Sequence, residues 1–146
     1  MEKLIYPACF YPCENQKDTY TVIVPDLPGC ITEGSSLADA IEMATDAASG
    51  WILDELEEDN PIPKARNIKD VKLNESSGFI SLLTLDIDSY AEKNGDKLIR
   101  KNLTIPAWLN TFAEKNHLNF SQVLKDALFA LFKKKHNLSW KFSEKF

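Results

Sequence analysis

The sequence predicts an α+β protein of two modules, a β-β-β-α-β module followed by a β-α-α module. Strand-type and helix-type spacings of apolar residues follow one another in that order, separated by proline and glycine turn signals. The charge also changes sign along the chain. Residues 1–96 hold 7 Lys and Arg against 19 Asp and Glu, a net charge of −12, whereas residues 97–146 hold 10 against 3, a net charge of +7. Such a split indicates two modules with different partners, although two solvated surfaces of unlike charge would also produce it.

Composition limits the possible classes of protein. With 146 residues, 44% of them hydrophobic, the chain can form one ordinary domain or two small ones. No apolar run approaches the roughly 18 residues of a membrane span, and the N-terminus lacks a signal-peptide pattern, so we expect a soluble cytoplasmic protein. Cys9, Cys13 and Cys30 form no CxxC pair, and we expect reduced thiols and no cofactor. A metal site completed by His117 or His136 would need ligands from both modules.

The first module begins with three predicted strands in an antiparallel meander, at residues 3–12, 20–24 and 30–33. Aromatic and branched residues dominate the first strand, in which Pro7 marks an edge or a bulge. Residues 25–29 (PDLPG, hereafter the PDLPG turn) form a tight turn, because proline restricts one dihedral angle and glycine accepts a positive φ.

A long amphipathic helix is predicted from Leu37 to about residue 58, with Ser35 or Ser36 as its N-cap. Its apolar stripe should lie on the sheet and consists of Leu37, Ala40, Ile41, Ala44, Ala47, Ala48, Trp51, Ile52 and Leu56. Its outer face is acidic. Glu55, Glu57 and Glu58 oppose the helix dipole at the C-terminus, which is explained either by a basic partner or by a solvated helix end.

The module ends with a loop at residues 60–67 and a strand at 78–87 that is central or pairs with the first strand. Residues 89–96 contain one helical turn or a linker, with a boundary signal at Asn94-Gly95. We therefore expect domains at residues 1–90 and 97–146, joined by a linker at 91–96.

The second module reads as a short strand, a proline, a helix, a polar turn and a second helix. Alternation along residues 97–105 puts Arg100, Asn102 and Thr104 on one face, and Ile99, Lys101, Leu103 and Ile105 on the other. So short a strand is unstable alone, and pairing with a second copy gives a two-stranded ribbon that fits the major groove of DNA. The first face then offers base contacts, unless these are ordinary solvent-facing residues. Lys101 interrupts the apolar face and is a candidate phosphate contact.

The two helices of this module are predicted at about 106–116 and 120–135. Their inward positions are Trp108, Leu109, Phe112 and Ala113, then Val123, Leu124, Ala127, Leu128 and Leu131. Asn119 or Ser121 should cap the second helix, whose N-terminal amides can hold a DNA phosphate. Lys133, Lys134 and Lys135 favour its negative end. The tail residues Trp140, Phe142 and Phe146 should dock on a neighbouring subunit or on the first module.

Residues 25–56 resemble the signature of HicB-type antitoxins: PDLPGC after a strand, then Thr-x-Gly, then an acidic, alanine-rich helix. The resemblance covers most of residues 1–90 and implies a partial ribonuclease-H-like domain that binds and silences a HicA-type, mRNA-cleaving toxin. It also implies a DNA-binding C-terminal domain and repression of the protein's own operon. Residues 97–133 separately resemble the ribbon-helix-helix repressors, with Arg100, Asn102 and Thr104 at the polar ribbon face.

These resemblances imply a toxin partner, operator DNA and a homodimer formed through the ribbon. Exposed strand edges of the first module would permit a higher homo-oligomer. Candidate toxin contacts are the acidic residues Asp26, Glu55, Glu57 and Glu58. Candidate DNA contacts are Arg100, Lys101, Asn102, Thr104, Asn119 and Ser121.

Two alternatives stay open at this point. The first is a stand-alone regulator whose first module senses a ligand or oligomerises. The second is a metal-dependent ribonuclease using Asp26, Glu33 and Asp46, because ribonuclease-H-like folds place carboxylates around magnesium. Nothing in the spacing brings these three together, and Asp26 is more simply a turn residue that bonds nearby backbone. We expect no catalytic residue.

Overall fold

A computed structural model describes the backbone of residues 1–144 and the side chains of residues 1–135. The chain divides into two compact units, Met1–Lys97 (unit 1) and Leu98–Phe146 (unit 2). Within the described residues, no helix is long and apolar enough to cross a membrane.

Unit 1 contains a four-stranded antiparallel sheet made of β1 (Leu4–Pro12), β2 (Tyr20–Ile23), β3 (Ile31–Gly34) and β4 (Phe79–Leu85). The strand order is β3-β2-β1-β4, which confirms the meander and the pairing of the last strand with the first. Because β2 pairs with only the second half of β1, Pro7 has a strand neighbour on the β4 side alone, as an edge proline would.

Helix α1 (Leu37–Glu57) covers one face of this sheet. The predicted cap at Ser36 is confirmed, since its hydroxyl accepts the Asp39 amide at 3.0 Å while the Asp39 carboxylate accepts the Ser35 amide at 2.9 Å. Gly34 lets the helix begin directly after β3, because a Cβ there would lie 2.3 Å from the Ala40 backbone nitrogen. The residues α1 buries are small except for the last: Ala40, Ala44, Ala48, Ser49 and Ile52.

The predicted stripe of α1 is wrong at its N-terminal end. Leu37 and Ile41 are 40% and 42% exposed, although they lie on the same helical face as the buried Ala44 and Ala48. Both side chains lie in the first turns of α1, which begin beside β3, an edge strand of the sheet, and they are only partly covered there.

A second helix, α2 (Ile87–Asn94), follows β4, and only one turn of it was expected. It includes the first four residues of the predicted linker. Tyr90 of α2 packs on Gly50 of α1, where a Cβ would meet the tyrosine oxygen at 2.9 Å. Burial, together with the nearby carboxylates of Asp46 and Asp54, raises the pKa of Tyr90 above its ordinary value. Unit 1 is therefore β-β-β-α-β-α, with α1 packed against both the sheet and α2.

A loop rather than a helix packs on the other face of the sheet. Val71 is buried against Cys9 and Tyr11, with Leu73 alongside. The Tyr11 hydroxyl accepts the Asn74 amide at 3.0 Å. The predicted loop at 60–67 thus continues to the start of β4, interrupted by a short 3₁₀ turn at Ile68–Asp70.

Unit 2 contains α3 (Ala107–Lys115) and α4 (Phe120–Glu144), so the second helix is longer than predicted. Residues 98–106 form no strand within one chain, and because the predicted strand requires a second chain to pair with, the ribbon stays a prediction. Asn119 caps α4 by accepting the Gln122 amide at 3.1 Å, whereas Ser121 lies inside the first turn. The predicted docking of the tail residues Trp140, Phe142 and Phe146 falls outside the described side chains.

Asp59, which follows the C-terminus of α1, has a left-handed backbone conformation that glycine adopts at lower cost. Asp59 has a φ of 57°, and two bonds close the turn around it: the Asn60 amide to the Glu55 carbonyl at 2.9 Å, and the Asp59 amide to the Leu56 carbonyl at 3.1 Å. Glycine is the usual residue at this position, and a carboxylate here opposes the helix dipole.

We expect Asp59→Gly to raise the free energy of unfolding by about 1 kcal/mol in urea titrations. Asp59→Asn, which removes only the charge, should give part of that gain, and equal or lower stability of the glycine variant would contradict this account.

Candidate functional site

The PDLPG turn holds three parts of unit 1 together. Leu27 is fully buried in the core, and Gly29 adopts the positive φ of 81° expected from the sequence. The Trp51 indole of α1 donates to the Pro28 carbonyl at 3.0 Å. Each contact fixes the turn against a different neighbour, so the turn is a rigid junction in unit 1.

Asp26 attaches the loop at residues 60–78, hereafter the covering loop, to this junction. Its side chain is 8% exposed, with one oxygen 2.6 Å from the Arg66 Nε and the other accepting the Arg66 backbone amide at 3.0 Å. Asp26 does bond backbone, but forty residues away rather than within its own turn. Both oxygens therefore serve the fold, and contact of Asp26 with a toxin stays a prediction.

The loop is held at a second point by Tyr6, whose hydroxyl donates to the Pro63 carbonyl at 2.5 Å. Burial and, secondly, the Asp26 carboxylate raise the pKa of Tyr6, which keeps its hydroxyl protonated as a donor. The loop is thus fastened on both sides of Lys64.

One continuous stretch of unit 1 carries acidic residues and no basic ones. Residues 18–63, which include β2, β3 and α1, contain 11 Asp and Glu and no Lys, Arg or His. Four exposed carboxylates recur on α1 at multiples of four residues, which are Glu42, Asp46, Asp54 and Glu58. Like charges four residues apart cost a helix about 0.2–0.5 kcal/mol per pair, and neither ion pair recorded in the described part of the chain involves them. An uncompensated acidic surface of this size favours a basic partner.

The predicted toxin contacts at the end of α1 lie within this surface. Glu58 is exposed, while Glu55 and Glu57 are half-buried. Their contact with a partner stays a prediction.

The carboxylates proposed for metal chemistry are not gathered. Asp26, Glu33 and Asp46 lie on the turn, on β3 and on α1, and no group of three or more metal-ligating side chains occurs in the described region. The three cysteines are free thiols, two of them buried, and burial raises the pKa of Cys30.

In unit 2 the candidate DNA contacts Arg100, Lys101, Asn102 and Thr104 are all exposed, in the segment preceding α3. The side-chain oxygen of Asn119 is occupied by the cap, and Ser121 is exposed in the first turn of α4. The structure therefore brings four of the six candidates into one accessible segment and leaves their use in DNA binding a prediction.

Unit 2 cannot bury its apolar residues within one chain. Among residues 98–135, Ala113 is the one hydrophobic residue that is buried, while Trp108 is 70% and Leu131 63% exposed. Nearly all of the positions predicted to face inward are thus open. Contiguous apolar surface of this extent indicates a missing partner.

A family model described as HicB_like antitoxin of bacterial toxin–antitoxin system matches residues 6–127, which spans most of both units. The chain belongs to this family. The antitoxins of the family act without catalysis, which sets aside the metal-dependent ribonuclease alternative.

Individual proteins agree with this assignment. The chain is 34% identical over 108 residues to an uncharacterized 14.9 kDa protein of Haemophilus phage HP1, covering 73% of this chain and 76% of that protein. It is similar to a chain of a toxin–antitoxin complex from Streptococcus pneumoniae, with 28% identity, a TM-score of 0.58, and coverage of 88% and 99% of the two chains. Antitoxin HicB of Burkholderia pseudomallei, 20% identical, shares the fold with a TM-score of 0.52 over 86% of this chain and 96% of its own.

The sequence pattern found the turn and the helix but not the residue that anchors them. Arg66 was missed because it lies in a loop without periodicity, forty residues from Asp26. One sequence feature could have pointed to Arg66. It lies in residues 64–72, which contain half of the Lys and Arg residues of the otherwise acidic unit 1.

The Arg66–Asp26 contact makes a stability prediction for this antitoxin. Arg66→Ala should lower the free energy of unfolding by about 1 kcal/mol, because the Asp26 carboxylate would keep only one bond, although exposure of Arg66 screens the pair. Lys64→Ala, an exposed cation in the same loop, is the matched control. Urea unfolding measures the stability, and hydrogen exchange should show faster exchange in the covering loop. Equal stability of the two variants would mean that the ion pair does not hold the loop.

Proposed function

We propose that the protein neutralises a HicA-type, mRNA-cleaving toxin through unit 1 and represses its own operon through unit 2. The observation that carries the proposal is the division of charge between two separate units. Unit 1 carries an excess of acidic residues, and unit 2 is basic and leaves most of its described apolar side chains exposed within one chain.

Toxin neutralisation is supported by charge. A protein that cleaves RNA has to offer cations to the phosphates of its substrate. The carboxylates of residues 18–63, with no cation among them, match such a surface and speed encounter with it. Binding there covers the toxin and excludes RNA from the same cations. Asp26, Glu55, Glu57 and Glu58 stay candidates for individual contacts, of which the exposed Glu58 is the most accessible.

A homodimer of unit 2 follows from its exposed apolar side chains. Pairing of two copies would cover the exposed faces of α3 and α4, and would give the strand at 97–105 the neighbour it lacks in one chain. The resulting ribbon would present two copies of Arg100, Asn102 and Thr104 to the major groove. Lys101 and the amides at the start of α4, beside Asn119 and Ser121, would contact phosphates.

The division of work between the units is testable by truncation. Residues 1–97 alone should bind and neutralise the toxin encoded beside this chain, and should not bind operator DNA, since every candidate DNA contact lies beyond residue 97. Co-purification, a toxicity assay in cells and gel shifts measure the three properties, with the full-length chain as the reference. If the fragment is folded by circular dichroism and still fails to bind toxin, the division is wrong. If the full-length chain also fails to retain the toxin, the proposed function is wrong.

Arg100 is the strongest candidate for base recognition, because its guanidinium can bond two acceptors of guanine at once. Arg100→Ala should weaken binding to the operator by about 5-fold to 150-fold, equivalent to 1–3 kcal/mol, and binding to unrelated DNA much less. Lys125→Ala removes an exposed cation from α4 and serves as the control for lost charge. Gel shifts at fixed salt measure both affinities. An equal loss on both DNAs would make Arg100 a phosphate contact instead.

A further inference from the structure

β3 is an open edge of the sheet, and its backbone is oriented for pairing. The Val24 amide donates to the Cys30 carbonyl at 3.0 Å, which makes these two a hydrogen-bonded antiparallel pair. Hydrogen-bonded and non-hydrogen-bonded pairs alternate, so Thr32 bonds to β2 while the N–H and C=O groups of Ile31 and Glu33 point away from the sheet. In the described structure no other strand pairs with that edge.

Helix α1 provides an apolar surface beside this edge. Leu37 and Ile41 continue the stripe of Ala44 and Ala48 but are 40% and 42% exposed. α1 begins three residues after β3, and the backbone of Ala40 lies against Gly34, so the first two turns of α1 lie beside the end of this edge strand. A strand added beside β3 would direct every second side chain onto Leu37 and Ile41.

Charge selects the occupant. Glu33 lies on β3 and Glu42 next to Ile41, within the 46 residues that contain no cation. A second copy would bring an identical set of carboxylates to the same edge, which like-charge repulsion opposes. A strand of a basic protein, with Lys or Arg alternating with apolar residues, would satisfy both the acidic rim and the apolar surface.

We propose that unit 1 binds its toxin by strand addition: a strand of the basic partner pairs with β3 and packs on Leu37 and Ile41. This inference rests on the proposed toxin-neutralising function and specifies its binding mode. It adds Ile31, Glu33, Leu37 and Ile41 to the candidate partner contacts, of which only Glu33 belongs to the acidic residues of 18–63.

Hydrogen exchange of the full-length chain, free and saturated with the HicA-type toxin encoded beside it, tests the pairing directly. The amides of Ile31 and Glu33 should exchange quickly in the free protein and at least tenfold more slowly in the complex. The Thr32 amide, already bonded to β2, should be protected in both states. Unchanged exchange at Ile31 and Glu33 in the complex would overturn the proposal.

Two variants with matched controls test the contributions of backbone and side chain. Glu33→Pro removes an outward N–H while leaving the bonds to β2, and Glu33→Gln removes the same charge but keeps the N–H. Ile41→Lys places a cation on the apolar surface, whereas Met43→Lys does so at a similarly exposed position, 43%, on a different face of α1. We expect Glu33→Pro to weaken toxin binding at least tenfold relative to Glu33→Gln in titration calorimetry. Ile41→Lys should weaken it at least tenfold relative to Met43→Lys.

The outcomes separate the two levels of inference. Failure of the wild-type chain to bind toxin would overturn the proposed function and this inference with it. Toxin binding that is the same in each variant and its control would overturn strand addition alone. A smaller sedimentation coefficient of the free Glu33→Pro protein would show that the edge is occupied by a second copy, which also overturns the proposal. Unchanged circular dichroism and unfolding midpoint exclude misfolding as the cause of a loss.

Discussion

The fold of unit 1 depends on how the PDLPG turn is held. Leu27 inserts into the core, the Pro28 carbonyl receives the Trp51 indole, and Asp26 receives Arg66. These contacts fix the hairpin of β2 and β3, the position of α1 and the loop on the opposite face of the sheet. A polar side chain as buried as Asp26 needs partners for both of its oxygens, and the loop provides them. The turn therefore determines where β3 begins and where the Trp51 end of α1 lies against the β2–β3 hairpin.

The two units differ in how much apolar surface they bury within one chain. Unit 1 buries large side chains such as Phe10, Leu83 and Leu85 between its sheet and α1, so it can be stable as a single chain. Unit 2 has two helices and one buried hydrophobic residue in its described part, which is too little apolar burial for independent stability. The proposed pairing of two copies would supply the burial that the described part of unit 2 lacks, whereas unit 1 has a core of its own.

Local signals in the sequence predicted most elements of the fold. The Ser36 cap, the positive φ of Gly29 and the pairing of β1 with β4 depend on residue chemistry and periodicity, which the sequence displays. The errors have a common cause, which is that burial depends on what lies opposite a residue. Periodicity puts Leu37 and Ile41 on the inner face of α1, but it does not show what packs opposite them, and they are 40% and 42% exposed. The partner of Asp26 depends in the same way on a distant segment. The strand predicted at 97–105 would depend on a second chain and stays a prediction. Site residues whose role requires a partner molecule were predicted only as candidates for that reason.

The exposed pair on α1 is a consequence of how closely that helix approaches the sheet. Gly34 permits α1 to start immediately above β3, and Ala40, Ala44 and Ala48 keep the distance between helix and sheet short. The first turns of α1 therefore lie close to the edge strand, and they carry the larger side chains Leu37 and Ile41, which are partly exposed. Larger residues at the alanine positions would push the helix away from the sheet and from this edge. The small residues that pack the core thus also shape the edge at which we place the partner.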